Sequence, residues 1–159
     1  MKLYFAYGAN LNHAGMQSRC PNAVKVNSFY LDDWQLTFSG VASIFPKPGS
    51  QVAGALWKIT DQCEESLDRF EGHPWLYRKE IIHCDGLEFM AYIMNFVEPQ
   101  LPSSGYLSTI EQGYNDWNLD LSYLNSAVEI TRHEVNDDMY WSNDLKTLAL
   151  NAKTLQRYL

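Results

Sequence analysis

The N-terminal segment Lys2-Leu3-Tyr4-Phe5-Ala6-Tyr7-Gly8-Ala9-Asn10-Leu11 predicts a strand, a glycine turn and the start of a helix. Apolar and aromatic residues alternate in its first part, as in a β-strand, and Gly8 interrupts the pattern. Asn10 or Asn12 can cap a short helix that runs toward Arg19. Such a turn leaves consecutive backbone N–H groups unpaired, and these can bind a carboxylate or a developing oxyanion. The ordinary alternative is an asparagine-capped turn that binds nothing.

A second segment, Leu67-Asp68-Arg69-Phe70-Glu71-Gly72-His73-Pro74-Trp75-Leu76-Tyr77-Arg78, ends a predicted helix. Glu71 precedes the glycine that stops this helix, so its carboxylate meets the negative end of the helix dipole. The aromatic side chains that can shield it from water are those of Phe70, Trp75 and Tyr77. Both effects raise its pKa toward neutrality, which suits a residue that takes and returns a proton. Two alternatives stay open: a solvated surface glutamate, and an ion pair with Arg69 or Arg78 that lowers the pKa.

The chain between and after these segments predicts several strands and one helix. The strands are expected at Val24–Leu31, Trp34–Ser39, Gln51–Ile59, Trp75–His83 and Leu87–Phe96. Turn or loop composition separates them at Asp32-Asp33, at 46–50 and at Cys84-Asp85-Gly86. The helix begins near Thr60, where Asp61 and Glu64 have the spacing of a capping box. Gly54 inside a strand indicates a bulge or a close backbone approach.

The C-terminal part changes to a helical pattern, predicted over about 106–117, 119–133 and 142–157. This arrangement predicts one α+β domain over 1–159. Residues 1–97 form a small, mostly antiparallel β-barrel or curved sheet, and residues 103–159 form a helical part packed on it.

Composition excludes several classes of function. Lysine and arginine total 12 against 19 aspartate and glutamate, a net charge of −7, so neither nucleic acid nor an anionic membrane is an expected partner. No apolar run reaches the roughly 18 residues of a membrane span, and the N-terminus lacks a signal peptide's pattern. The sparse cysteines, Cys20, Cys63 and Cys84, predict free thiols in a reducing cytoplasm. The histidines and cysteines lack metal-ligand spacing, so no metal is expected.

Together the two segments resemble the motifs of the γ-glutamylcyclotransferase-like, or AIG2-like, family. Tyr7-Gly8-Ala9-Asn10-Leu11 is similar to that family's YGSNL or YGTNL loop. Leu67-Asp68-x-x-Glu71-Gly72-x-Pro74-x-x-Tyr77 is similar to its second motif, and Gly54-Ala55-Leu56-Trp57 to the strand that precedes this motif. Order and spacing agree over residues 2–96.

The resemblance implies a cofactor-free enzyme that acts on a small γ-glutamyl substrate. The α-amino group of the substrate attacks its own γ-carbonyl, 5-oxoproline closes, and an amine or amino acid leaves. It implies that Glu71 is the general acid and base and that the backbone from Gly8 to Leu11 holds a carboxylate or oxyanion. Tyr7 belongs to the same motif. Tyr77 lines the pocket, and Tyr106, with Tyr114 as second choice, closes it.

Two other functions compete with this one. The same cavity can serve a non-catalytic module that binds a small molecule or a protein, or Glu71 can activate water in a glutamyl-amide hydrolase. The serine or threonine that is usual in the glycine loop is Ala9 here, which removes a hydroxyl and can change specificity. The oligomeric state is not readable from the sequence.

Overall fold

The computed structural model describes residues 1–137, which form a five-stranded sheet with helices against it. The strands are β1 Lys2–Ala6, β2 Val24–Ser39, β3 Val41–Ile59, β4 Tyr77–Cys84 and β5 Leu87–Met94. The helices are α1 His13–Arg19, α2 Asp61–Glu71, α3 Ser104–Asp116 and α4, which covers 121–137. A short 3₁₀ turn, Ala9–Leu11, joins β1 to α1. The predicted helix over 142–157 lies outside the described residues.

The sheet has the strand order β2-β3-β1-β5-β4 and is antiparallel except where β1 runs parallel to β5. The α+β class and the mostly antiparallel pairing are therefore confirmed. A closed barrel is not formed, because the edge strands β2 and β4 do not pair with each other within residues 1–137. Instead, side-chain hydrogen bonds join β3 to β5 and to β4, strands that are not its neighbours in the sheet. Met94 N–H donates to Ser43 Oγ at 3.0 Å, and the Tyr77 hydroxyl donates to the Ala42 carbonyl at 2.6 Å.

The predicted turn at Asp32-Asp33 is wrong, since the chain passes through it as one strand. Segments on both sides pair with β3, with a register shift at Asp33, whose φ is 62°. The predicted loop at 46–50 lies within β3 instead. Pro46 pairs with Trp34, and 47–50, opposite the shift, have no partner in register among residues 1–137. At this shift the Asp33 side chain joins β2 to β3, because its Oδ1 accepts a hydrogen bond from Gly49 N–H at 2.9 Å. Pairing along β3 therefore overrides the local turn signal.

The remaining boundaries follow local chemistry. Thr60, not Asp61, caps α2, because its Oγ1 accepts from Cys63 N–H at 3.1 Å. Gly72 ends the helix in the left-handed conformation at φ 65°, as predicted. Asp85 and Gly86 both have positive φ in the β4–β5 turn, which agrees with the Asp-Gly hairpin signal.

One hydrophobic core joins the sheet to α3 and α4 and fixes the glycine turn. The core contains Phe5 and Leu56 from the sheet and Ile110 and Leu124 from the helices. Helix α3 also binds the turn directly, since the Trp117 indole N–H donates to the Leu11 carbonyl at 2.9 Å. No helix within residues 1–137 has the length and apolar character needed to cross a bilayer.

Candidate active site

A cavity of about 130 Å³ opens where β1 ends and the glycine turn begins. Residues from both sequence motifs and from α3 line it together. The predicted residues among them are Tyr7, Gly8, Ala9, Asn10, Glu71, Tyr77 and Tyr106. The other lining residues are Tyr4, Val41, Ala42, Phe70, Leu76 and Tyr92. The fold thus brings together two motifs that lie about 60 residues apart in the sequence.

Glu71, the last residue of α2, is held by a chain of hydrogen bonds. Asn10 Nδ2 donates to Glu71 Oε1 at 2.8 Å and to the Tyr4 hydroxyl at 2.9 Å. On the other side of the same amide, Arg19 Nε donates to Asn10 Oδ1 at 3.0 Å. Asn10 is buried, and its carbonyl accepts from the Trp57 indole N–H at 3.2 Å. Asn12 caps α1 instead, accepting from Gly15 N–H at 2.9 Å, which leaves Asn10 free for the site.

Burial raises the pKa of Glu71 to about 7, while the positive charge of Arg19 and the hydrogen bond from Asn10 both act to lower it. The effect of burial on the pKa is the largest because burial removes water from the carboxylate. The charge of Arg19 and the hydrogen bond from Asn10 replace only part of that hydration. A carboxyl group that titrates near neutral pH both accepts and donates a proton readily under physiological conditions. The predicted rise in the pKa of Glu71 is thus present.

The source of this shielding differs in part from the prediction. Trp75 is 86% exposed, so the expectation that it shields Glu71 is wrong. Phe70 and Tyr77 do line the cavity, together with the buried tyrosines Tyr4 and Tyr92. The alternative arginine pairings are also wrong. Arg69 donates to Ser66, and Arg78 pairs with Glu80.

The glycine turn uses some of its backbone amides and leaves others unpaired. Leu11 N–H donates to the Gly8 carbonyl at 3.0 Å, so the turn itself satisfies this amide. The Leu11 side chain is fully buried in the core and lies outside the cavity lining. Within residues 1–137, no acceptor is present for the N–H groups of Gly8, Ala9 and Asn10. All three residues line the cavity, so their amides are the candidate donors to an anion.

Tyrosine hydroxyls fix the backbone opposite the glycine turn. Tyr77 donates to the Ala42 carbonyl at 2.6 Å, and the Tyr106 hydroxyl accepts from Ala42 N–H at 3.0 Å. Burial raises the pKa of Tyr106 to about 12, so this phenol stays protonated near neutral pH. Tyr114, the second choice for closing the site, is fully buried and is not part of the cavity lining.

The site also contains residues that the sequence did not single out, namely Tyr4, Arg19 and Tyr92. Tyr92 holds two parts of the site in place, because its carbonyl accepts from the Tyr7 hydroxyl and its own hydroxyl donates to Asp68 Oδ1 at 2.6 Å. Arg19 was predicted only as the end of a helix. The sequence signal that could have found Arg19 is its place in the last turn of α1, the helix that follows the glycine turn. From there its Nε reaches Asn10 Oδ1.

The comparison with known protein families agrees with this geometry. The family described as "Gamma-glutamyl cyclotransferase, AIG2-like" matches residues 4–118, a range that contains every residue of the cavity lining. The chain belongs to this family.

Individual relatives extend the match. Proteins named "Gamma-glutamylcyclotransferase" from Bos taurus and from Homo sapiens are each 32% identical over 139 residues, covering 76% of this chain and 74% of theirs. A solved structure named "Gamma-glutamyl cyclotransferase" is similar with a TM-score of 0.67 and 28% identity, covering 79% of this chain and 85% of that one. The fold of this family member is therefore similar to that of a named cyclotransferase.

Proposed function

We propose that this protein is a γ-glutamylcyclotransferase that converts a γ-glutamyl amide to 5-oxoproline and releases an amine or amino acid. The observation that carries the proposal is the position of Glu71. It is a shielded carboxyl with a pKa of about 7, in a cavity also lined by residues with unpaired backbone amides. Family membership and similarity to named cyclotransferases support the same reaction.

The first step needs a base near the substrate's ammonium group. The Glu71 carboxylate removes a proton, and the freed α-nitrogen attacks the γ-carbonyl carbon to close a five-membered ring. Because nucleophile and electrophile belong to one molecule, correct folding of the substrate contributes roughly 7–11 kcal/mol toward the barrier. The cavity walls from Tyr7, Tyr77 and Tyr106 hold the glutamyl chain in this folded form.

The second step stabilises and then collapses the tetrahedral intermediate. The N–H groups of Gly8, Ala9 and Asn10 are the donors for the oxyanion or the substrate carboxylate, and one oxyanion donor contributes about 3–4 kcal/mol. The protonated Glu71 then gives its proton to the leaving nitrogen as the C–N bond breaks. Ring closure removes two protons from the ammonium nitrogen and the leaving amine gains two, so the overall reaction releases none.

The proposal also includes a single domain over 1–159 and a reducing cytoplasmic location. One hydrophobic core that joins the sheet to α3 and α4 supports the first. The second is supported by free thiols at Cys20, Cys63 and Cys84, since cytoplasmic cysteines stay reduced.

The test is to incubate the protein with γ-glutamyl-alanine, γ-glutamyl-ε-lysine, glutathione and a γ-glutamyl-alkylamine and to measure 5-oxoproline by mass spectrometry. Glu71→Gln should lower its formation at least 100-fold, the range of general acid–base catalysis. Glu65→Gln is the matched control, because Glu65 lies exposed on the same helix. Glutamate as the product would indicate a hydrolase instead. Saturable binding without turnover would indicate a binding module.

A further inference from the structure

The mouth of the cavity differs sharply from its interior. Most lining residues are buried or partly buried, and the two that are exposed are both apolar: Phe70 at 47% and Leu76 at 48%. Among residues 1–137, the lining contains no lysine, arginine or histidine, and its single carboxylate is Glu71. A ligand group that emerges from the cavity therefore passes the apolar side chains of Phe70 and Leu76.

Exposed apolar side chains continue beyond this mouth. Trp75 is 86% exposed, Phe96 is also 86% exposed and Val97 is 48% exposed. We call Phe70, Trp75, Leu76, Phe96 and Val97 the apolar rim. Single exposed apolar residues need no explanation, but a group of five large ones, two of which line the cavity, is typical of a binding surface.

Asn95 holds the two segments of the apolar rim together. Its Nδ2 donates to the Pro74 carbonyl at 2.7 Å and to the Trp75 carbonyl at 2.8 Å, and its N–H donates to the Leu76 carbonyl at 3.0 Å. Phe96 and Val97 follow directly in the chain. Three hydrogen bonds therefore fix the rim backbone, so contact with a ligand costs little additional ordering of the loop.

We infer that the apolar rim is the subsite for the leaving amine and that the preferred substrates are γ-glutamyl amides of amines with an aromatic or branched aliphatic body. This inference rests on the proposed function. A cavity of about 130 Å³ takes the glutamyl part, and the remainder of the amide extends through the mouth. Phe70 and Leu76 belong to both the cavity and the rim, so the two surfaces are continuous.

The substrate class follows from the chemistry of that surface. Burial of an aryl or branched alkyl group against the rim removes apolar area from water and lowers the free energy of the bound state. A leaving amine with a second charge gains no ion pair from the lining. Arg19 is not among the lining residues; its Nε donates to Asn10, and its guanidinium stacks on the Phe70 ring at 4.0 Å.

The test compares kcat/KM for three synthetic substrates, γ-glutamyl-phenethylamide, γ-glutamyl-ethylamide and γ-glutamyl-ε-lysine, with 5-oxoproline as the readout. The phenethylamide should exceed each of the other two about tenfold or more. Trp75→Ala and Phe96→Ala should each reduce kcat/KM for the phenethylamide several times more than for the ethylamide. Ile81→Ala, an apolar side chain of β4 that is 58% exposed and lies outside the rim, should alter neither.

The outcomes separate this inference from the function on which it rests. If the three substrates react at equal kcat/KM, or if both rim variants leave the preference intact, the subsite is wrong while cyclisation stands. If the protein forms 5-oxoproline neither from these three substrates nor from any member of the panel named under the proposed function, cyclisation fails and the leaving-group subsite fails with it.

Discussion

Asn10 and Glu71 are separated by 61 residues in the sequence, yet the Asn10 amide donates to the Glu71 carboxyl at 2.8 Å. The other end of this amide accepts from Arg19 at 3.0 Å. The two bonds fix the orientation of Asn10, with its NH₂ toward the carboxyl and its oxygen toward the guanidinium. The glycine turn and the end of α2 are thereby connected at the group proposed to move the proton.

The pKa of Glu71 predicts the pH dependence of the reaction. Only the carboxylate form accepts the substrate's proton, and the pKa is about 7. We expect kcat/KM to fall about tenfold for each pH unit below 7 and to level off just above it. Steady-state kinetics from pH 5 to 8.5 measures this limb. A fall in kcat/KM centred near pH 4.5 would mean that Glu71 is solvated in the free enzyme.

Arg19 is predicted to determine the pH below which kcat/KM falls. Its positive charge lowers the pKa of Glu71 against the effect of burial, so Arg19→Gln should raise this pKa and move the acid limb to higher pH. Activity at pH 6.5 should then fall more than activity at pH 8.5. Arg69→Gln is the control, since Arg69 is exposed and bonds to Ser66. An equal loss at both pH values would assign Arg19 a purely structural role.

Glu71 is also predicted to cost stability above neutral pH. Its pKa is raised from 4.5 to about 7 on folding, so the native state binds the extra proton between these values. The free energy of unfolding therefore falls as pH rises through this window, by up to about 3 kcal/mol. Glu71→Gln removes the cost. The Tm of the Glu71→Gln variant should match that of the unaltered protein at pH 4.5 and exceed it by several degrees at pH 8. A Tm difference that is the same at both pH values would contradict the link between the pKa of Glu71 and stability.

Gly54 is predicted to be indispensable for packing β3 against β1. A Cβ at this position would lie 2.3 Å from the Phe5 ring and 2.5 Å from the Ala6 carbonyl oxygen. Gly54→Ala should lower the free energy of unfolding by about 1–3 kcal/mol or more through overpacking. Gly105→Ala is the matched control, because no atom lies within 4 Å of a Cβ there, and it should be neutral or slightly stabilising. Urea titration measures the free energy of unfolding of both variants. Equal values would show that β1 shifts to accept the added Cβ at little cost.

Ala9 is predicted to be compatible with full activity. Its side chain lies partly exposed at the cavity, and Glu71 is oriented by Asn10 and Arg19 rather than by residue 9. Ala9→Ser should therefore keep the rate of 5-oxoproline formation within about threefold, since the backbone donors are unchanged. A rise of a hundredfold would instead show that the missing hydroxyl limits the native protein.

Several features of the fold were readable from the sequence because they depend on local chemistry. The glycine that ends α2, the Asp-Gly turn between β4 and β5, and the strand that leads into Gly8 each follow from backbone preferences of a few neighbouring residues. For Gly54 the sequence leaves two alternatives, a bulge or a close backbone approach, and the structure has the close approach. The motif order also identified Glu71 as the acid–base residue to test.

Tertiary structure alone decided which partners meet. The turn signal at Asp32-Asp33 yielded to pairing with β3, because a long ladder of backbone hydrogen bonds outweighs a local preference. The barrel stayed open, with Ser43 and Met94 joined by a side-chain bond instead of a strand ladder. The pKa of Glu71 depends on Arg19, Asn10 and the surrounding buried side chains, and desolvation by distant residues leaves no local pattern in the sequence.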